Sequence, residues 1–178
     1  MNQHSGFVLW LTGLPSSGKS TLARRVRDAL VQRDVATLLL DGDEVRAALR
    51  PAPGYDPRAR EDFYQSLANL AAMASSQQLV VLVPATANLR AFRAYAREQC
   101  ADGAFAELFV NTPASVCAER DTKGLYRQSQ AGAVHTLPGV GAAYEAPERP
   151  ELEVSMDEPS AHERVAQWLI EKVQQRAR

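Results

Sequence analysis

Residues 7–23 read FVLWLTGLPSSGKSTLA. Six residues suited to a buried strand give way to a turn of glycine and serine, and then to the start of a helical pattern. Within the stretch, Gly13-Leu14-Pro15-Ser16-Ser17-Gly18-Lys19-Ser20 fits G-x-x-x-x-G-K-[ST]. From average residue usage, a chance match in a chain this long is about one in two hundred, before the strand-turn-helix context is counted. The motif has a physical reason. Main-chain N–H groups of the turn and of the helix start converge on phosphate oxygens, and glycine lets the anion approach closely. Lys19 is then expected to reach the β- and γ-phosphates and the Ser20 hydroxyl to ligate Mg²⁺, while Thr21 supports the helix start. The turn is expected to hold a nucleoside triphosphate, ATP, because the guanine-reading N-K-x-D motif is absent.

Further along, apolar runs recur at ATLLLD (36–41), LVVLVPA (79–85), FAELFVN (105–111) and LEVSM (152–156). Helical spacing fills about 19–32, 57–76, 89–100, 113–120 and 160–176. Strands that are apolar throughout and alternate with helices predict a parallel sheet covered on both faces, a three-layer α/β domain. The stretch 121–150 breaks this rhythm with four glycines and three prolines. It is too long for an ordinary connection and is read as a lid or binding loop.

A chain of 178 residues suits one domain spanning 1–178. A net charge of −1 gives no field for gripping polynucleotide or membrane, so the partners expected are small anions held locally. The two cysteines, Cys100 and Cys117, lie apart with no metal-ligand spacing, and MNQHSG lacks the pattern of a leader. A cytoplasmic protein with reduced thiols is expected.

LLLDGDEVR (38–46) places Asp41 at the end of the second strand and Asp43 at the start of a short helix. Ligands of parallel α/β sheets bind at the carboxyl ends of the strands, so Asp41 should lie near the phosphates. There it can orient an attacking hydroxyl, accept its proton late, or bind Mg²⁺ through water. With an ordinary carboxylate pKa near 3.9, positioning matters more than proton affinity. Asp43 has the alternative reading of a helix N-cap.

GLPSSGKST, LDGDEVR, RDTKGLYRQSQAG and YEAPERPEL, in that order, resemble the adenylylsulfate kinases. Members of that family transfer the γ-phosphoryl of ATP to the 3′-hydroxyl of adenosine 5′-phosphosulfate. The resemblance runs from about Gly6 to the C-terminal helix. It implies a P-loop kinase fold with a five-stranded parallel sheet, 121–150 as the lid, Mg²⁺ as cofactor, and assembly as a homodimer. Arg46 and Arg60 match the family's arginines for the acceptor's phosphosulfate and ribose region. Tyr55 stands where a phenylalanine is usual, Lys123, Gly124, Leu125 and Tyr126 match the lid motif, and Arg120 matches an arginine that contacts ATP. Independently of family, Arg120, Lys123 and Arg127 form a local basic cluster suited to screening phosphoryl charge.

The acceptor side departs from the family. Phe63 replaces an asparagine that contacts the acceptor, and it reads equally as a new aromatic wall, an obstruction, or core. TANLR (86–90) stands for I-S-P-Y-R, keeping only Arg90. Ala87 cannot accept phosphate, so transfer is expected to be direct. Leu137 replaces the phenylalanine that stacks on the acceptor's adenine. Two alternatives therefore stay open: a kinase of this type acting on another nucleotide-linked hydroxyl, or a non-catalytic nucleotide-binding regulator.

Overall fold

The computed structural model describes residues 5–121, 124–132, 135–155 and 158–177, with Gln130 described by its main chain only. The run at 7–12 is strand β1 (Phe7–Thr12), buried along its whole length, and helix α1 (Lys19–Val31) follows the glycine turn. Then come β2 (Thr37–Leu39), α2 (Gly42–Ala48), α3 (Pro57–Ser76), β3 (Val80–Pro84), α4 (Arg90–Glu98), β4 (Phe105–Val110) and α5 (Ala114–Glu119). The chain continues through α6 (Leu125–Gln130), β5 (Leu152–Val154) and α7 (Ala161–Arg176). The strands form one sheet in the order β2-β3-β1-β4-β5, with every pairing parallel.

Alternation along the strands builds the three layers. Phe7, Leu9 and Leu11 of β1, with Val80 and Leu82 of β3, pack among Leu22, Val26 and Leu30 of α1 and Val165 and Leu169 of α7. Their neighbours Val8, Trp10, Val81 and Val83 face the other way, onto Phe63, Leu67 and Ala71 of α3 and Phe92 and Ala96 of α4. Each such large aliphatic side chain contributes about 1.5–3 kcal/mol on full burial. The sheet is therefore apolar on both faces, as a parallel sheet between helices must be.

The adjacent strands β1 and β3 feed helices on opposite faces, α1 on one and α4 on the other. Such a reversal is a topological switch point, and ligands of open parallel sheets bind beyond the carboxyl ends of the strands there. The strand and helix boundaries fall within a few residues of those read from the sequence, except that β2 and β5 are only three residues long. Helix α6 was not foreseen, since 121–150 carries little periodicity. No helix among the described residues is long and apolar enough to cross a membrane.

Candidate active site

The glycine turn is held from beneath and from behind. Thr112, just past β4, donates from its hydroxyl to the carbonyl of Ser17 at 2.9 Å, and the Ser17 N–H closes the turn onto Leu14 O at 3.1 Å. Gly13 lies against β4: a Cβ there would stand 2.6 Å from Val110 O, so only glycine lets the chain leave β1 at this point. Gly18, at φ 98°, precedes α1 and places no side-chain cap on the first-turn amides. Those donors have no intrahelical partners and form, with the positive end of the helix, an anion cradle.

Lys19 is buried in the loop, its ammonium donating to Leu14 O at 2.7 Å and Gly13 O at 3.0 Å. Ser20 follows, half-buried, and Thr21 is exposed. Leu14 and Pro15 carry a further load: Leu14 packs on a small apolar cluster of Cys117, Tyr126 and Leu137, and the Tyr126 hydroxyl donates to Pro15 O at 3.1 Å. Burial, reinforced by neighbouring Cys117, pushes the Tyr126 hydroxyl up to about 12, so it stays a donor at neutral pH. Burial likewise raises the Cys117 thiol, although Lys19, Tyr126 and Arg120 pull it back. Arg120, at the end of α5, thus lies near enough to Lys19 for both to act on one thiol.

The R-D-T-K-G-L-Y motif has a local explanation. Asp121 accepts from the amides of Leu125 (2.7 Å), Tyr126 (3.0 Å) and Arg127 (3.2 Å), which nucleates α6. Gly124 turns the chain in the left-handed region at φ 67°. Lys123 lies outside the described residues. Further along, Gly139, at φ 86°, passes so close to the turn that a Cβ would stand 2.5 Å from Leu14 Cδ2. Tyr126, Leu137 and Gly139 thus bring the described parts of 121–150 down onto the glycine turn.

Asp41 caps α2: its Oδ1 accepts from the Asp43 amide at 3.0 Å. Asp41 therefore takes the N-cap position, and Asp43 sits exposed in the first turn. The other oxygen, Oδ2, is buried and has no hydrogen-bond partner among the described residues. Arg24 Nη2 lies 3.9 Å from it and bonds Glu44 at 2.8 Å. Arg24 is one turn beyond Ser20 on α1, so the carboxylate stands beside the opening turns of that helix.

Among the residues expected to meet the acceptor, Arg46 is buried, with its guanidinium carbon 3.8 Å from the Phe63 ring centre and 4.5 Å from that of Tyr55. Arg60, also buried, donates to Tyr55 O at 2.8 Å, to Asn88 Oδ1 at 3.4 Å and to Thr136 O, joining α3 to the segment above the turn.

Three further residues expected to touch the acceptor make the following contacts within the protein. Phe63 is core on its far side, tilted against Tyr64 with ring centres 5.4 Å apart, and is neither an open wall nor an obstruction. Leu137 is buried beside Leu14, Cys117 and Tyr126 on the nucleotide side, because its own carbonyl is the hub of a tight turn accepting from the amides of Val140, Gly141 and Ala142. Arg90 is exposed, and its donors go to Glu145, Ala146 and Glu148.

The sequence reading missed two residues. Arg93, fully buried, pairs with Glu107 and donates to Ala87 O at 2.6 Å and Glu145 O at 2.7 Å. Tyr144 shares a 3.1 Å hydrogen bond with Thr12 at the end of β1. Together with Asn88, whose amide donates to Ala143 O at 2.9 Å, they fasten Y-E-A-P across the strand ends. The signal for Arg93 was present: Glu107 interrupts an otherwise apolar strand, and a carboxylate there requires a buried cation.

The strand order, the glycine turn and the helix behind it define a P-loop kinase fold. Residues 5–155 match the adenylylsulphate kinase family, and the chain belongs to that family. It is 42% identical over 149 residues to an adenylyl-sulfate kinase of Klebsiella pneumoniae, covering 84% of this chain and 74% of the relative. It is 41% identical over 152 residues to one from Enterobacter sp. strain 638, covering 85% and 76%. Among solved structures, a Mycobacterium tuberculosis APS kinase in complex with AMPPNP and APS superposes with a TM-score of 0.86 at 33% identity, over 96% of this chain and 99% of that one.

Proposed function

We propose that this protein transfers the γ-phosphoryl of ATP to the 3′-hydroxyl of adenosine 5′-phosphosulfate, producing 3′-phosphoadenylylsulfate and ADP. The observation that carries the chemistry is the unpartnered Oδ2 of Asp41, a buried carboxylate oxygen fixed by its own helix cap beside the first turns of α1. A buried acceptor atom of this kind is costly unless something donates to it, and a substrate hydroxyl meets that need. Asp41 orients the 3′-oxygen toward the γ-phosphorus. As the new O–P bond forms and the bond to the β-phosphate bridging oxygen breaks, the hydroxyl proton passes toward the carboxylate. Lys19 and the first-turn amides of α1 hold the charge that grows on the phosphates, with Gly13 to Thr21 as the cradle and Arg120 against the nucleotide.

The donor set fits Mg²⁺: a serine hydroxyl at the helix start and a carboxylate oxygen acting through water are hard oxygen ligands, and no group of three or more His, Cys, Asp or Glu among the described residues forms a cage of its own. Bound there by Ser20 and Asp41, the ion supplies charge neutralisation of the phosphates. Arg46, Tyr55 and Arg60 form the acceptor side with Asp43, and 121–150, including Lys123, Gly124 and Leu125, serves as the lid of a single domain, 1–178. Ala87 has no hydroxyl, so the phosphoryl passes directly. The reading includes a cytoplasmic homodimer acting on small nucleotides, with neither polynucleotide nor membrane as partner. A different acceptor has less support, because Phe63, Ala87 and Leu137, the three residues that suggested a reshaped pocket, pack into apolar clusters.

Purified protein supplied with ATP, Mg²⁺ and adenylylsulfate is expected to yield 3′-phosphoadenylylsulfate. Turnover no faster than ATP hydrolysis in the absence of adenylylsulfate rejects the activity.

A further inference from the structure

Arg46 is nine-tenths buried near the end of a short helix, an expensive place for a permanent cation. Its surroundings compensate in a directional way. Phe63 lies under one side of the guanidinium at 3.8 Å and Tyr55 approaches at 4.5 Å, so aromatic rings hold the plane of the group. Nη1 uses its two N–H groups on main-chain oxygens, Pro53 O at 3.0 Å and Gly54 O at 2.7 Å. The other edge, Nε and Nη2, keeps three N–H groups that have no hydrogen-bond partner among the described residues. That edge is the one that grips an oxyanion with two parallel hydrogen bonds. It belongs to the same helix face as Asp43, three residues earlier, whose field reaches the guanidinium.

We infer that Phe63 is a specificity-determining positioning residue: its ring fixes the plane of Arg46 so that the Nε/Nη2 edge takes an oxyanion of the acceptor's phosphosulfate side-on. This rests on the proposed activity and adds a residue to it. At the position where the resemblance implies an asparagine that touches the acceptor, this chain has a buried ring packed against the arginine. Tyr55 is more than half exposed and cannot fix the plane alone, whereas Phe63 is locked among α3 and α4 side chains.

The test is a cycle of Phe63→Leu, Arg46→Lys and the double variant, with Phe63→Met as a second packing-conserving change should Phe63→Leu fold poorly. Binding of adenylylsulfate is measured by calorimetry, and KM for both substrates by steady-state kinetics. Loss of the ring is expected to weaken adenylylsulfate binding roughly tenfold or more, with KM for ATP staying within about twofold of the wild-type value. In the Arg46→Lys background the same change should add little, since the planar group it orients is gone. An unchanged adenylylsulfate affinity, an equal rise in both KM values, or additive effects in the cycle each overturn the inference. Wild-type protein that binds adenylylsulfate but does not turn it over rejects the proposed activity alone, and the binding cycle still decides the role of Phe63. Wild-type protein that does not bind it overturns both.

Discussion

At the scale of single residues, the two oxygens of Asp41 do different things. Oδ1 holds the start of α2, while Oδ2 is buried without a hydrogen-bond partner among the described residues and is the oxygen proposed to take the acceptor hydroxyl. The asparagine variant separates these duties, because its side-chain oxygen still accepts from the Asp43 amide. Asp41→Asn is expected to lower kcat about 10²-fold or more with stability within about 1 kcal/mol of wild type. Asp41→Ala is expected to lose the activity and, in addition, about 1 kcal/mol of cap energy. Kinetics beside urea denaturation reads both, and an asparagine variant retaining half of the activity removes Asp41 from the chemistry. Lys19→Ala is expected to cost about 10²–10³ in kcat through loss of charge on the transferring phosphoryl; single-turnover transfer at wild-type rate contradicts its role. The turn that carries Lys19 was legible from the sequence because a phosphate cradle demands one spacing. Phe63, Leu137 and Arg90 were not, since a position inherited from a resemblance says nothing of which way its side chain turns. Leu137 is turned toward Leu14 by a three-amide hub that no periodicity announces.

Elements were readable in proportion to how much of their stability is local pattern. Helix α3, with Asp56 accepting from the Ala59 amide and Pro57 in its first turn, carries its start signal in the sequence. Helix α6 has only six residues; it exists because Asp121 gathers three amides and Tyr126 is anchored to Pro15, and both are tertiary or capping events rather than amphipathic spacing. The connection between α3 and the upper segment is a latch made by Arg60 and Asn88, reaching Thr136 and Ala143. Asn88→Ala removes the two side-chain bonds at its centre. The expected result is faster proteolytic cleavage within 121–150 and a several-fold higher KM for both substrates, with the same far-ultraviolet circular dichroism as wild type. Cleavage at the wild-type rate shows that the latch does not hold that segment.

Across the whole molecule, Glu151 ties three parts together: it pairs with Arg97 of α4 at 2.7 Å, accepts from the Glu107 amide of β4 at 2.7 Å, and stands at the entry to β5. Burial pushes its carboxyl up, but the Arg97 guanidinium and the β4 amide outweigh that and hold it below its ordinary value. A carboxyl whose folded pKa is depressed favours folding above its unfolded pKa, and this contribution fades as pH falls through the folded one. Glu151→Gln is therefore expected to lower Tm by up to about 3 °C at pH 7 and by progressively less as pH falls below the ordinary carboxylate range, in differential scanning calorimetry; a deficit that persists unchanged into acid refutes the assignment. The sheet has one more property at this scale. Its marginal strands, β2 and β5, are three residues each, and Arg164 Nη2 already donates to the Glu153 carbonyl of β5. Short margins of this kind offer an incoming chain too little unpaired backbone for a continuous ladder. The native sheet is thereby poorly suited to fibrillar growth by edge-to-edge strand addition.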